Sequence, residues 1–143
     1  MSVKQLSIFV ENKPGQLAEI TSVLAQNKID IRAMSVADTQ DFGILRLIVS
    51  DIEGAKAALS SNSCVVSVNS VVAVAISDKP GALMKAVSVL SDNEINIEYM
   101  YAFITTSGQH AYVVMRVTDN ERAEELLCKN GIDLVTQQDI NNL

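Results

Sequence analysis

The sequence predicts an α+β fold built from two tandem βαββαβ units. Three observations carry this: a repeat at a spacing of 66 residues, apolar alternation over strand-length segments, and apolar faces at helical spacing between them. The repeat organises the chain. Asn12-Lys13-Pro14-Gly15 falls on Asp78-Lys79-Pro80-Gly81, Leu17 on Leu83, and Ser22-Val23-Leu24 on Ser88-Val89-Leu90. Asn27, Ile29, Ile31 and Met34 meet Asn93, Ile95, Ile97 and Met100, giving 11 identities in the 24 positions from Glu11 to Met34. That density without gaps is far above chance. Further on, Ser50-Asp51 aligns with Thr118-Asp119, so the offset widens to 68 through a longer loop near Thr105–His110.

Each copy reads in the same order. Val3–Val10 alternates, with Leu6, Ile8 and Val10 on one face and Gln5 and Ser7 on the other, as a half-buried strand does. Pro14 suits the first turn of a following helix, where a missing N–H costs nothing. Leu17, Ile20 and Leu24 make one helical face; Leu83, Ala86, Val87 and Leu90 make its counterpart. A second strand is expected over Asp30–Ala37 and a third over Gly43–Val49, joined by a turn at Thr39–Asp41. Asp51 and Asp119 are suited to cap second helices that run to about Ser60 and Lys129. Short last strands are expected at Val65–Val68 and Leu134–Gln137.

The order is the ferredoxin-like split βαβ pattern. Right-handed crossovers then place both helices of a unit on one face of an antiparallel sheet. The boundaries fall at 1–69 and 70–143, with no linker: the last strand of copy one runs through Asn69-Ser70 into the first strand of copy two. At the offset of 66, Gln5 and Ser7 become Val71 and Ala73, so Val71–Ile76 is apolar on both faces and calls for a cover on each. A tail, the sister unit or another subunit could supply it, and the last choice suggests a homodimer or larger assembly.

Composition removes several functions. The net charge of −6, without a Lys/Arg cluster, opposes nucleic-acid binding, and the strands lack an evident aromatic set for stacking RNA bases. No apolar stretch approaches the roughly 18 residues of a membrane span, and the N-terminus lacks a signal-peptide core, so a cytoplasmic, soluble protein is expected. Cys64 and Cys128 form no CxxC pair and are expected to be reduced, mostly buried thiols. His110, the single histidine, has no partners for a zinc set and reads as an exposed loop residue. No nucleophile has a positioned base, so no catalytic residue, metal or cofactor is assigned.

What does recur is the turn after the first strand, Glu11 to Leu17 and Ser77 to Leu83. Helix N-termini offer free N–H groups to a carboxylate or phosphate, and Gly15 and Gly81 allow close approach to the backbone. A Lys-Pro-Gly-x-Leu turn, a helix, then Ile-Asp-Ile or Ile-Asn-Ile resembles the ACT domain family twice over, across essentially the whole chain. The resemblance implies a small-molecule-binding regulatory protein without catalysis of its own, the ligand commonly being an amino acid. It further implies a site where the first turn of one domain faces the start of strand two of a neighbour. Those positions are Asn12, Gly15, Gln16, Leu17 and Asp30 in copy one, and Asp78, Gly81, Ala82, Leu83 and Asn96 in copy two. If the copies pair pseudo-symmetrically, Asn12 joins Asn96 and Asp78 joins Asp30. The amide pair suits an amino acid and the acidic pair repels its carboxylate, so unequal pockets are expected.

The alternative is an interaction subunit that controls a separate metabolic enzyme through protein contacts, without a ligand. An acylphosphatase-type enzyme shares the topology, but its first loop carries an Arg on phosphate, and neither turn here has one.

Overall fold

The computed structural model of the chain describes residues 2–37, 41–104 and 110–143. The connection expected at Thr39 and the longer loop at 105–109 lie outside the described residues. The elements run β1 (Val3–Glu11), α1 (Gln16–Gln26), β2 (Ile31–Ala37), β3 (Phe42–Val49), α2 (Ile52–Ser61), β4 (Val65–Ser77), α3 (Ala82–Asp92), β5 (Ile97–Ala102), β6 (His110–Val117), α4 (Asn120–Lys129), β7 (Asp133–Leu134) and α5 (Gln137–Asn141). They divide into two compact units, Lys4–Asn69 and Ser70–Leu143 with the first three residues. The last strand of one repeat and the first strand of the next form the single strand β4.

In the first unit the order is β4-β1-β3-β2. β3 is antiparallel to both neighbours, with Leu47 opposite Leu6 on one side and Met34 on the other. A bulge interrupts β2 between Ile31 and Ala33. Leu6, Ile8 and Val10 share one face with Leu45, Leu47 and Val49, and that face packs on Ile20, Val23 and Leu24 of α1 and on Ala55 and Leu59 of α2. Both helices therefore cover the same side, as period-two strands and 3.6-period helices require. The second unit repeats this in the order β7-β4-β6-β5. Val72, Val74, Val113, Met115 and Val117 pack on Ala86 and Leu90 of α3 and Ala123 and Leu127 of α4.

Helix ends obey a rule that splits the repeats. Asp51 accepts from Gly54 N at 3.0 Å and Asp119 from Arg122 N at 3.1 Å, capping α2 and α4 as their sequences predict. At the other end, Asn27, Asn62, Asn93 and Asn130 each follow a helix and donate from the side-chain amide to the carbonyl four residues back, at 2.7–2.8 Å. At Asn27 and Asn130 the same carbonyl also accepts from the asparagine's own backbone N–H, so the side chain reinforces the last helical bond.

Pro14 sits one position ahead of the helix cap rather than in the first turn; the cap is Gly15, and α1 begins at Gln16. The last strand is only Asp133–Leu134, because the chain turns after it into α5. Thr136 and Asp139 form a reciprocal capping box there. The Thr136 backbone N–H, then its hydroxyl, hold the Asp139 carboxyl below its ordinary value.

The doubly apolar strand is covered by the chain itself. Val71 and Ala73 are fully or nearly fully buried within one chain, as are Val135 and Ile140. Val135 N donates to Ala73 O at 2.8 Å, which ties the segment before α5 to β4. No second subunit is needed for that cover, and the argument from β4 to an assembly falls. On β1, Gln5 is fully buried; it donates to Asn69 Oδ1 at 3.2 Å, as does Ser7 Oγ at 3.1 Å. The thiols are free, but Cys128 is exposed rather than buried. Strand aromatics are also present: Tyr99 and Tyr101 stack on β5 at 6.4 Å, so only charge argues against RNA.

Candidate functional site

The first turn forms because β1 ends at Glu11 and the backbone reverses within four residues. Asn12 N donates to Asp41 O at 2.9 Å and Lys13 N to Glu11 O at 3.0 Å. Gly15 then takes φ +92°, and Gly81 takes φ +89° in the equivalent turn. Nothing lies within 4 Å of a Cβ added at either position, so these glycines are required for their left-handed backbone and not for space. The Lys13 ammonium sits 2.8 Å from Glu11, and that hydrogen bond and charge raise its pKa.

One consequence is chemical. Neither Gly15 nor Gly81 supplies a side-chain cap, whereas α2, α4 and α5 all have one. The first-turn N–H groups of α1 and α3 thus have no side-chain acceptor at the cap. The first of them is used by the turn, Gln16 N donating to Lys13 O at 3.4 Å and Ala82 N to Lys79 O at 3.2 Å, which leaves those of Leu17 and Ala18, and of Leu83 and Met84, for an anionic oxygen.

In the first unit this turn borders a cavity of about 150 Å³. Asn12, Gln16 and Leu17, three of the candidate ligand residues, line it together with Val10, Val36, Ala37 and Gly43. The last four escape sequence reasoning because they come from three different strands. The signal available was Gly43, since a glycine inside a strand often marks a close backbone approach. Its added Cβ would stand 2.8 Å from Ala37 O.

Asp30 is not at this cavity. It precedes β2, while the turn adjoins the far ends of β1 and β2. The length of β3 from Phe42 to Val49 separates these ends by roughly 24 Å. Asp30 instead pairs with Arg32 at 2.6 Å, and the Arg32 side chain is only 10% exposed. In the second unit Asn96 lies in an open groove with Ser91 and Glu94. Ala82 lines a cleft of about 220 Å³ with Lys85 and His110, so His110 opens β6 and is more than a loop residue. Asp78 and Gly81 are exposed in the turn, and Leu83 remains 39% exposed, close to Leu17 at 41%.

The repeat shows why the two turns differ. The counterpart of Ala37 is Phe103, and that of Gly43 is Ala111. Phe103 is nearly buried and packs edge-on against Tyr112 with ring centroids 5.6 Å apart. Larger side chains thus stand where the first unit has its cavity walls.

Over residues 1–143 the sequence matches the family described as an ACT domain pair. The chain belongs to this family. As an ACT domain pair it is similar along its full length to the crystal structure of protein BT0572 from Bacteroides thetaiotaomicron, with 41% identity, 98% of that chain covered and a TM-score of 0.92. The ligand-free regulatory subunit of aspartate kinase from Thermus thermophilus shares the fold at 16% identity and a TM-score of 0.66, covering 90% of this chain and 91% of that one. No curated protein matches the ACT pair. None of its described helices is long and apolar enough to cross a membrane.

Proposed function

We propose that this ACT pair is a non-catalytic regulatory protein that binds an amino acid at the turn of its first unit. The observation that carries the reading is the uncapped start of α1 beside the cavity lined by Asn12, Gln16, Val36 and Gly43. The ligand carboxylate accepts from the Leu17 and Ala18 N–H groups in the first turn of α1. The Asn12 and Gln16 amides, which both donate and accept, hold the rest of its polar groups. Leu17, Val10 and Val36 supply an apolar wall for a side chain. The second turn is the weaker site, because Phe103 and Ala111 narrow it. A separate enzyme is the regulated partner.

A thermal-shift screen against the twenty amino acids tests the reading, since a ligand that binds only the native state raises the melting temperature. One or a few amino acids should give a saturable rise. Asn12→Ala should weaken binding by about 1 kcal/mol, roughly fivefold, in calorimetry. Asp78→Ala should leave it unchanged. No response to any amino acid would instead favour control through protein contacts alone.

A further inference from the structure

A second cleft of the first unit lies on the other side of the same turn. It holds about 330 Å³, and its floor includes Phe9 and Phe42. These rings stack with centroids 5.1 Å apart, yet remain 54% and 46% exposed. Val65 beside them is 71% exposed. The polar rim is acidic, with Glu11 and Glu19. Glu11 is ion-paired with Lys13, and Glu19 acts on the same ammonium only through its charge, without a contact as close as that of Glu11. Burial first, and then the charge of Glu19, push the neighbouring Cys64 thiol up.

The second unit contains the same cleft by repeat position, with its character reversed. Phe9 becomes Ala75, Phe42 becomes His110, Glu11 becomes Ser77 and Glu19 becomes Lys85. Val65 becomes Asp133. A duplicated backbone has therefore kept the hollow, lost both phenylalanines, put Ser77 and Lys85 in place of Glu11 and Glu19, and put a carboxylate, Asp133, in place of Val65.

We infer that the cleft of the first unit binds a small organic cation, an ammonium carried on an apolar body, with the apolar body on Phe9 and Phe42 and the charge at Glu19. The ring faces attract a cation, and the carboxylate adds a directed charge partner. The counterpart cleft has Ala75 in place of Phe9 and Lys85 in place of Glu19, so it is the weaker site for the same ligand even with Asp133 in its lining. Glu11 and Gln16 border both hollows, whereas Asn12, Val36 and Gly43 line only the first, so Asn12→Ala distinguishes this inference from amino-acid binding.

The probe is phenethylammonium at neutral pH, compared with phenylacetate, which has a similar body and the opposite charge. Calorimetry on the full chain should show one saturable phenethylammonium site. Phe9→Ala and Glu19→Gln should each weaken it roughly two- to fivefold. Lys85→Gln and Asn12→Ala should leave it unchanged, and phenylacetate should not compete. Amide NMR shifts of the unmutated protein give an independent readout, with changes at Phe9, Phe42 and Val65 and none at Ala75, His110 and Asp133. Absence of saturable binding, equal binding of phenylacetate, or shifts elsewhere would overturn the inference.

Discussion

Leu47→Ala is expected to destabilise the protein by about 2–5 kcal/mol, the range for deleting most of a buried leucine and leaving part of a cavity. Leu47 is fully buried in the first core, at the middle strand of its unit. Strands lie on both sides of it, with Leu6 and Met34 directly opposite. The backbone on each side is held by a ladder and cannot easily close on the vacancy. Met34→Ala, on the same sheet face but 38% exposed, should cost much less. Urea denaturation checks both, through a large fall in midpoint for Leu47→Ala at nearly constant slope. A loss under about 1 kcal/mol would mean that the core collapses freely around the missing side chain.

Gly43→Val is the second large effect, and it joins stability to binding. A Cβ at Gly43 meets the Ala37 backbone oxygen at 2.8 Å and the Val10 side chain at 3.5 Å. The nearer obstacle is main chain between paired strands, so it cannot swing aside as a side-chain tip would. Overpacking of this kind costs about 1–3 kcal/mol, and the branched methyl groups of valine place this substitution near the top of that range. The same methyl groups enter the cavity beside Asn12. Any amino acid that raises the melting temperature of the unmutated protein should fail to do so here. Gly43→Ala should be milder, because the second unit accommodates Ala111 at the equivalent place. If Gly43→Val is fully stable and still responds to the ligand, the cavity is not where the ligand sits.

Much of the architecture was legible because its signals are local. The Lys-Pro-Gly turns, the apolar faces of α1 and α3 and the caps at Asp51 and Asp119 each occupy a few consecutive residues. They appear twice, which guards against coincidence. The site was half legible for the same reason: Asn12, Gln16 and Leu17 belong to the turn itself. Val36, Ala37 and Gly43 reach the turn only through the pairing of β1, β2 and β3, which no short window contains. Asp30 is assigned by the family resemblance to the turn of the neighbouring domain; within its own unit it lies at the opposite end of the sheet from the turn. The short helix α5 has too few residues for periodicity, and its readable mark was the Thr136-x-x-Asp139 box. The cover over Val71 and Ala73 was anticipated, but composition could not say that the chain provides it. The contrast between the two clefts required the register, since Glu19 and Lys85 gain meaning only beside Phe42 and His110.

The asparagine that ends α4 has a bearing on how the protein ages. Asn130 is followed by Gly131, which has φ of +76° and no side chain, and whose N–H donates to Cys128 O at 3.0 Å. Asparagine before glycine is the sequence in which the main-chain nitrogen most readily attacks the side-chain amide, expelling ammonia and ending as a carboxylate after hydrolysis. Here the amide is the donor to Leu126 O at 2.7 Å. Its replacement by a carboxylate removes that donor and sets a negative charge against the negative end of the helix dipole. Stored protein should therefore gain acidic forms whose modification maps by peptide mass spectrometry to Asn130, with faster amide exchange in the last turn of α4. The three sister asparagines, followed by Lys28, Ser63 and Glu94, should stay intact over the same interval.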